Sequence, residues 1–441
     1  MNKVIRLDGI SYLPEAQAII TMKPAKDLFK EPESVTRVGR YDVVPWGNSN
    51  TLPTDVIDKI SKSEVVSANL EFNILIGYGS GIKPMMKKDG VLSDCEDDRV
   101  LRFCEENDLQ GYFIEQMTDL KTFYNVFPEI ILSNDKTQIV SLRHKEAAFS
   151  RWGKIDNRTG LITKHFYSSK WAEVVLEKDV VITDVLDPYN PVQDLRKRIK
   201  AGDYKDLRFI IPVNFSTPGK TYYQYPYWWT IFQSGWYDFS SMVPEVKKAL
   251  LKNRFGVKYI IYISPKYFKS IFKEEGIDPT DVEAVRSRVD KEHQFFSDFL
   301  TGSENAGKGL VAIKEMIQSQ LGVTTEKYIE IEEVKVNHDK AELVDDSEEV
   351  SNIISYAMGV HPSLIGSAPG KTGGSMSGTD KRELFMIKQA LMKPFRDRLL
   401  RPLYAIKQFN GWPKELVWVV PDILFTSLDQ NKSGQETKIT Q

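Results

Sequence analysis

Apolar residues recur along this chain in two rhythms, and the change between them divides it. From Thr54 to Asn125 the spacing is helical: Val56, Ile57 and Ile60 mark one helix, and Val65, Val66, Ala68, Leu70 and Ile74 mark a second. Two more helical stretches follow, an acidic one from Asp94 to Asn107 and one from Tyr112 to Asn125. From Val126 to Val213 the rhythm shortens to strand-like runs at 129–132, 138–143, 160–167, 180–185 and 207–212, several of them separated by turn pairs such as Asn134-Asp135 and Thr159-Gly160. Helices on one side and antiparallel strands on the other predict an α+β domain over roughly 41–220. Before it, Pro14, Pro24 and Pro32 interrupt any regular pattern, so residues 1–40 read as an N-terminal arm.

The second half returns to helical spacing. Residues 222–239 hold ten aromatics and predict a helix that restarts at Pro244, a residue suited to a first helical turn. A compact insert follows, with strands at 257–264, 310–313 and 326–336 and a helix at 279–300; the apolar phase slips across Glu332-Glu333, which reads as a β-bulge. A short amphipathic helix begins near Glu348 and ends at a Gly-Val-His-Pro turn. Beyond a glycine-serine segment lies the longest helical pattern, 379–409, with Leu384, Ile387, Leu391, Phe395, Leu399, Leu403 and Ile406 on one apolar face. It would span about 45 Å, and Pro394 and Pro402 are expected to kink it. A last strand at 416–420 precedes a polar tail that reads as disordered past Asn431.

Charge and composition narrow the function. A formal net charge of −2 argues against a protein that grips nucleic acid, because such binding rests on many Lys and Arg contacts to phosphate; it permits one past which nucleic acid slides. No apolar run approaches the roughly 18–20 residues of a membrane span, and the first residues lack a signal-peptide core, which predicts a cytosolic start. Cys95 and Cys104 are expected as reduced thiols. The five histidines are scattered without metal-ligand spacing, and no nucleophile elbow occurs, so neither a metal, a cofactor nor a catalytic residue is expected.

Three motifs invite sharper readings. Gly370-Lys371-Thr372 resembles the end of a phosphate-binding loop, which would make the chain a nucleotide hydrolase using Lys371. The earlier glycine of that motif is missing, however, since Ile365 holds its position, and the segment follows a helix rather than a strand. Gly77-Tyr78-Gly79-Ser80-Gly81 reads as a helix-ending turn rather than a dinucleotide loop, because Ile82 stands where the final glycine should be. The aromatics of 222–239 lack the interleaved cations of a nucleic-acid stacking platform; they read as packing residues, with Tyr227, Trp228, Trp229 and Trp236 assigned to a subunit or domain interface. The long helix carries eight basic residues against three acidic ones. They are read either as a solvated face or as partners for Glu342, Asp345, Asp346, Glu348 and Glu349 of the same or a neighbouring subunit.

The segment Ser367–Gly378 has four glycines and three serines, with Lys371 near its centre and Met376 beside its end. Backbone freedom without packing side chains suits a loop that touches something moving. Taken in order, several segments resemble the portal (head-to-tail connector) proteins of tailed bacteriophages, of the long-tailed type. Val44-Pro45-Trp46-Gly47-Asn48 and Leu52-Pro53, with the Gly-Tyr-Gly-Ser-Gly turn, are similar to the start of some portals. Gln224-Tyr225-Pro226 stands where the family has a Gly-x-Ser-Pro turn, with Gly and Ser replaced. Asn305-Ala306-Gly307-Lys308 before Leu310-Val311-Ala312-Ile313 is similar to the clip region. Residues Ile353 through Gly366 resemble the second stem helix and its Gly-Val-Pro-Pro-x-Leu-Leu-Gly turn, with His361 in place of the first proline.

The resemblance implies a portal fold: an α/β wing, a two-helix stem, a small α/β clip and a long kinked wing helix. Mapped here, it gives an arm at 1–40, the wing at 41–221, a first stem helix at 222–254, the clip at 255–342, a second stem helix and turn at 343–366, a tunnel loop at 367–378, the rest of the wing at 379–431, and a tail at 432–441. It implies a homo-oligomeric ring, usually of twelve subunits, at one capsid vertex, through which double-stranded DNA is packaged and ejected. Implied partners are the large terminase, a neck or adaptor protein, the major capsid protein and scaffold, with the virion as location and the host cytoplasm during assembly. Lys371, Thr372, Ser375, Met376 and Ser377 would face DNA; Lys266, Lys269, Glu332 and Glu333 would be clip residues that dock partners. A non-portal neck or baseplate protein is the structural alternative.

Overall fold

The computed structural model describes residues 5–7, 10–13, 18–21, 35–173, 175–253, 259–301, 314–319, 322–327, 329–333, 340–365 and 377–423. The fold is α+β with several small sheets, and the chain divides into two compact units: Met1–Val243 with Ala341–Gln441, and Pro244–Lys340.

In the first unit, helices Leu52–Ser61, Glu64–Tyr78, Asp98–Glu106 and Leu109–Phe123 stand where the apolar spacing put them. Ser63, Asp97 and Asp108 cap the last three, each side chain accepting from a backbone N–H of the first turn. Glu64–Tyr78 packs on Leu109–Phe123 and on the long helix Gly378–Asn410. A Cβ at Gly77 would meet Sδ of Met117 at 2.6 Å, so any side chain there would have to displace the buried Met117 thioether between Glu64–Tyr78 and Leu109–Phe123.

A six-stranded sheet supports these helices, in the order Ile139–Arg143, Glu129–Leu132, Arg208–Ile210, Val181–Val185, Lys164–Tyr167, Ser150–Trp152. It is not wholly antiparallel as expected: Val181–Val185 pairs with Arg208–Ile210 in parallel. Parallel neighbours need a crossover, and helix Pro191–Ala201, absent from the sequence reading because only Val192 and Leu195 are buried on it, supplies one. A three-stranded sheet sets Leu416–Val419 beside Lys83–Lys88 and Val91–Asp94, tying the end of the unit to its beginning. Regular elements also occur where Pro14, Pro24 and Pro32 were expected to interrupt them: Ile5–Leu7, Ile10–Leu13 and Ala18–Thr21 form an antiparallel sheet, and Thr36–Val38 forms a pair with Tyr41–Val43.

Two further corrections concern helices. The aromatic segment is a short 3₁₀ turn, Tyr227–Phe232, followed by helix Trp236–Asn253, and Pro244 lies inside that helix rather than at its start. The long helix has 33 residues, about 50 Å, with Pro394 and Pro402 in its interior. Phe395, Leu399, Leu403 and Ile406 are buried as expected, but Ile387 and Leu391 are 58% and 60% exposed.

The second unit pairs Tyr259–Ile263 with Ile329–Glu333 antiparallel and folds Lys314–Ser319 onto Gly322–Lys327. Its helices are Pro265–Glu274, missed in the sequence, and Val282–Thr301. Arg288 braces them: its Nε donates to Glu275 at 2.8 Å and its Nη1 to Glu292 at 2.7 Å, while Tyr267 donates to Glu292 at 2.5 Å. The register from Tyr259↔Glu333 to Ile263↔Ile329 is unshifted, so the expected bulge does not interrupt this pairing. The expected strand at 310–313 and the tail past Asn431 lie outside the described residues.

Candidate functional site

The glycine-serine segment lies almost wholly outside the described residues, and with it Lys371, Thr372, Ser375 and Met376. Both of its attachments are described. On the entry side, helix Lys340–Ala357 ends in a Schellman turn: Gly359 N donates to Tyr356 O and Val360 N to Ser355 O, each at 2.9 Å, with Gly359 at φ +64°. His361 follows, its Nδ1 accepting from Ser363 N at 3.2 Å as the short helix Pro362–Ile365 begins. On the exit side, Ser377 starts the long helix with a reciprocal capping box: its Oγ accepts from Asp380 N at 3.1 Å, and Asp380 Oδ2 accepts from Ser377 N at 3.3 Å. Ser377, expected to face DNA, holds the helix start and is exposed.

Polar side chains from two other helices pin the entry turn. Asn69 Nδ2 donates to Ser355 Oγ at 3.1 Å, Asn73 Nδ2 to Met358 O at 3.2 Å, and Lys388 Nζ to Gly359 O at 2.6 Å. Asn73 and Lys388 thus satisfy the Met358 and Gly359 carbonyls, which the turn itself leaves without a donor, while Asn69 holds the Ser355 hydroxyl. The sequence reading missed Asn69, Asn73 and Lys388; the one available signal was a pair of asparagines four apart in an otherwise apolar helical run. The long helix is held in the same way. Arg396 donates to Gly77 O and Ile76 O at 2.9 Å each and to Asp422 at 2.6 Å, and Gln389 exchanges two bonds with the backbone of Ile423. The turn at Gly79 is thus the helix end that the sequence suggested.

Behind this mount sit two buried lysines. Lys121 lies with Nζ 3.7 Å from the ring centre of Phe395. Burial and the neighbouring charge of Lys388 lower its pKa to about 7, and burial lowers that of Lys388 to about 8. No carboxylate pairs with either among the described residues.

The aromatic segment faces inward. Trp228 and Trp229 are 6% and 1% exposed, and their indole nitrogens donate to Lys121 O at 3.1 Å and Thr122 O at 3.0 Å, closing the last turn of Leu109–Phe123. Tyr237 does the same for Leu52–Ser61 through Lys59 O at 2.9 Å, and Tyr223 stacks on Trp46 at 4.3 Å. The subunit-interface role read for Trp228 and Trp229 is corrected: a side chain enclosed in its own subunit has no area left for another. Trp236 is half-buried and Tyr227 is 57% exposed. Lys266 and Lys269 are exposed on Pro265–Glu274, and Glu332 and Glu333 lie on the strand opposite Ile260 and Tyr259.

One titratable cluster lies away from the mount. Gln116 Nε2 donates to Nδ1 of His144 at 2.5 Å, which leaves Nε2 to face Asp119 at 3.2 Å. Burial opposes the charged ring, but the hydrogen bond and charge of Asp119 outweigh it and raise the pKa of His144. Asp119 also accepts from Ala147 N at 2.7 Å, so the pair fixes the turn at Ala147–Phe149. His165 is fully buried, and desolvation lowers its pKa to about 3, leaving a neutral ring. Among the described residues no group of three His, Cys, Asp or Glu could hold a metal ion, both cysteines are free thiols, and no helix is long and apolar enough to cross a membrane.

No protein-family model matches the chain, and no curated protein matches it. Solved structures do. A chain in the virion of a native gene transfer agent particle has a TM-score of 0.54 at 12% identity, over 87% of this chain and 86% of its own. A chain in the neck of the native particle, computed with C12 symmetry, has a TM-score of 0.54 at 13% identity over 83% of each. A chain in the neck of the empty particle, computed with C6 symmetry, has a TM-score of 0.54 at 13% identity over 86% of each. This chain shares their fold along most of its length.

Proposed function

We propose that this chain is the subunit of a portal, the ring at one vertex of a phage-like capsid through which double-stranded DNA enters and leaves. The observation that carries the proposal is the fold likeness to chains of a gene transfer agent neck computed with C12 and C6 symmetry, over more than four-fifths of both partners. The mount adds a physical reason. The residues on either side of 366–376 are fixed, by a pinned helix terminus before it and a capping box after it, as the mount of a segment that meets a moving partner must be.

In this reading the segment lines the channel, and Lys371 of each subunit meets phosphate. One cation per subunit steadies the DNA without gripping it, in keeping with a net charge of −2. The portal hydrolyses no nucleotide itself; a separate terminase docks on 255–342 during filling, and a neck protein replaces it afterwards. Exposed Lys266 and Lys269 belong to that docking surface. The ring is homo-oligomeric, with twelve subunits, and forms part of the virion beside capsid and scaffold proteins.

Deleting 369–376 tests the function. The expected result is that the protein still assembles but that heads built from it package or retain less DNA. Wild-type DNA content in those heads would overturn the channel-loop assignment. ATP turnover by the purified chain, lost on Lys371→Ala, would replace the portal reading with an enzyme.

A further inference from the structure

The first half of the long helix is turned inside out. Its buried face carries Lys388, Gln389 and Arg396 beside Met392 and Phe395, while Met386, Ile387 and Leu391 are 59%, 58% and 60% exposed. The helix cannot roll to hide them, because its buried polar groups are fixed to Gly359, to Ile423, and to Gly77, Ile76 and Asp422. A second unlike face lies on helix Lys340–Ala357. Val350, Ile354, Ser355 and Met358 point inward, which leaves Glu349, Asn352 and a Tyr356 that is 87% exposed outward, bordering a shallow open depression with Glu348 and Ile353.

The two faces complement each other in charge. The sequence from Glu342 to Tyr356 has five acidic residues and no basic one, and Glu348 and Glu349 make no ion pair among the described residues. On the long helix, Lys393 pairs with Asp397 and Asp380 serves the cap, which leaves Lys381, Arg382 and Arg398 against Glu383. An acidic face repels its own copy, so a two-fold self-contact is disfavoured and a head-to-tail contact between unlike faces is favoured; contacts of that kind that close make rings.

We propose that the Ile387–Leu391 face of one subunit seats against the acidic, Tyr356-bearing face of the next copy, and that this pair of faces closes the ring. The inference rests on the portal reading and adds the surfaces that join its subunits. The apolar centre supplies burial, and the flanking charges set the order of subunits.

Two variants made in separate chains, Tyr356→Cys and Leu391→Cys, provide the test under mild oxidation. With the partly buried Cys104 replaced by serine in both chains and Cys95 buried, the expected result is a disulfide-linked dimer in the mixture and not in either variant alone. Charge reversal checks it independently: Glu348→Lys with Glu349→Lys, or Lys381→Glu with Arg382→Glu, should each weaken assembly by about tenfold or more, and mixing the two variants should restore it. All of these side chains are partly or fully exposed, and circular dichroism confirms folding. Rings that form without the crosslink and ignore the reversals overturn this interface while leaving the portal intact. A disulfide within one monomer carrying both cysteines also overturns it, because the two faces then serve a single chain. Absence of any wild-type ring overturns the portal reading itself.

Discussion

The aromatic segment 222–239 and the first half of the long helix contradict their own hydrophobicity in opposite directions. The first has ten aromatics, reads as a subunit or domain interface, and lies mostly in the core of its own unit. The second has a regular apolar row, reads as core, and exposes Ile387 and Leu391. The difference lies in where polar atoms find partners. Trp228, Trp229, Tyr223 and Tyr237 each carry one polar atom, and each meets a backbone group of the chain itself, so burying the ring leaves nothing unsatisfied. On the long helix the demand comes from neighbouring carbonyls. The ends of two helices need donors, and Lys388 and Arg396 must turn inward to supply them. Ile387 and Leu391 are then carried outward by helical geometry.

Truncating the first region should have the largest effect. Trp229→Ala removes a side chain 1% exposed together with a cap on Leu109–Phe123, and should destabilise the isolated subunit by about 3–5 kcal/mol in denaturant titration. Were the segment an interface instead, subunit stability would hold and only assembly would suffer. Arg396→Met should cost about 2–3 kcal/mol, because Gly77 O and Ile76 O lose a charged donor. An unchanged midpoint would mean that the long helix is not held by its polar face.

Smaller effects sharpen the contrast. Gly359→Ala forces a Cβ into φ +64° and should cost about 1–2 kcal/mol, chiefly by loosening the entry turn, which hydrogen exchange at Val360 would report. Lys121→Met should raise the melting temperature at pH 6 by about 2–4 °C. The folded lysine titrates near 7 and the unfolded one near 10.4. Between these values the unfolded chain binds the extra proton, so wild-type stability rises with pH and the advantage of the variant shrinks toward pH 10. An advantage independent of pH would show that Lys121 is not buried as a charge.

Much of the fold was legible because apolar spacing reports burial directly wherever one face alone is buried, as in Asp98–Glu106, which buries Val100 and Phe103, and in Leu416–Val419, which buries Leu416 and Trp418. Pro191–Ala201 was not, since most of its surface is polar and two buried side chains make no rhythm. The hairpin at Lys83–Lys88 and Val91–Asp94 was equally hidden, because its strands are mostly exposed and three lysines break any apolar alternation in the first. The candidate site was legible as a position, a glycine-rich segment between two helices, but its mount was not. Asn69, Asn73 and Lys388 come from elements remote in sequence, and only the folded chain brings them to the Ser355 hydroxyl and the carbonyls of Met358 and Gly359.

Subunits that close around a channel would be visible in negative-stain images of the purified protein. The expected images show cyclic particles with an axial hole, face-on views of which average to twelve-fold or a neighbouring symmetry. Monodisperse single subunits at every protein concentration, with no ring in purified particles either, would contradict ring closure.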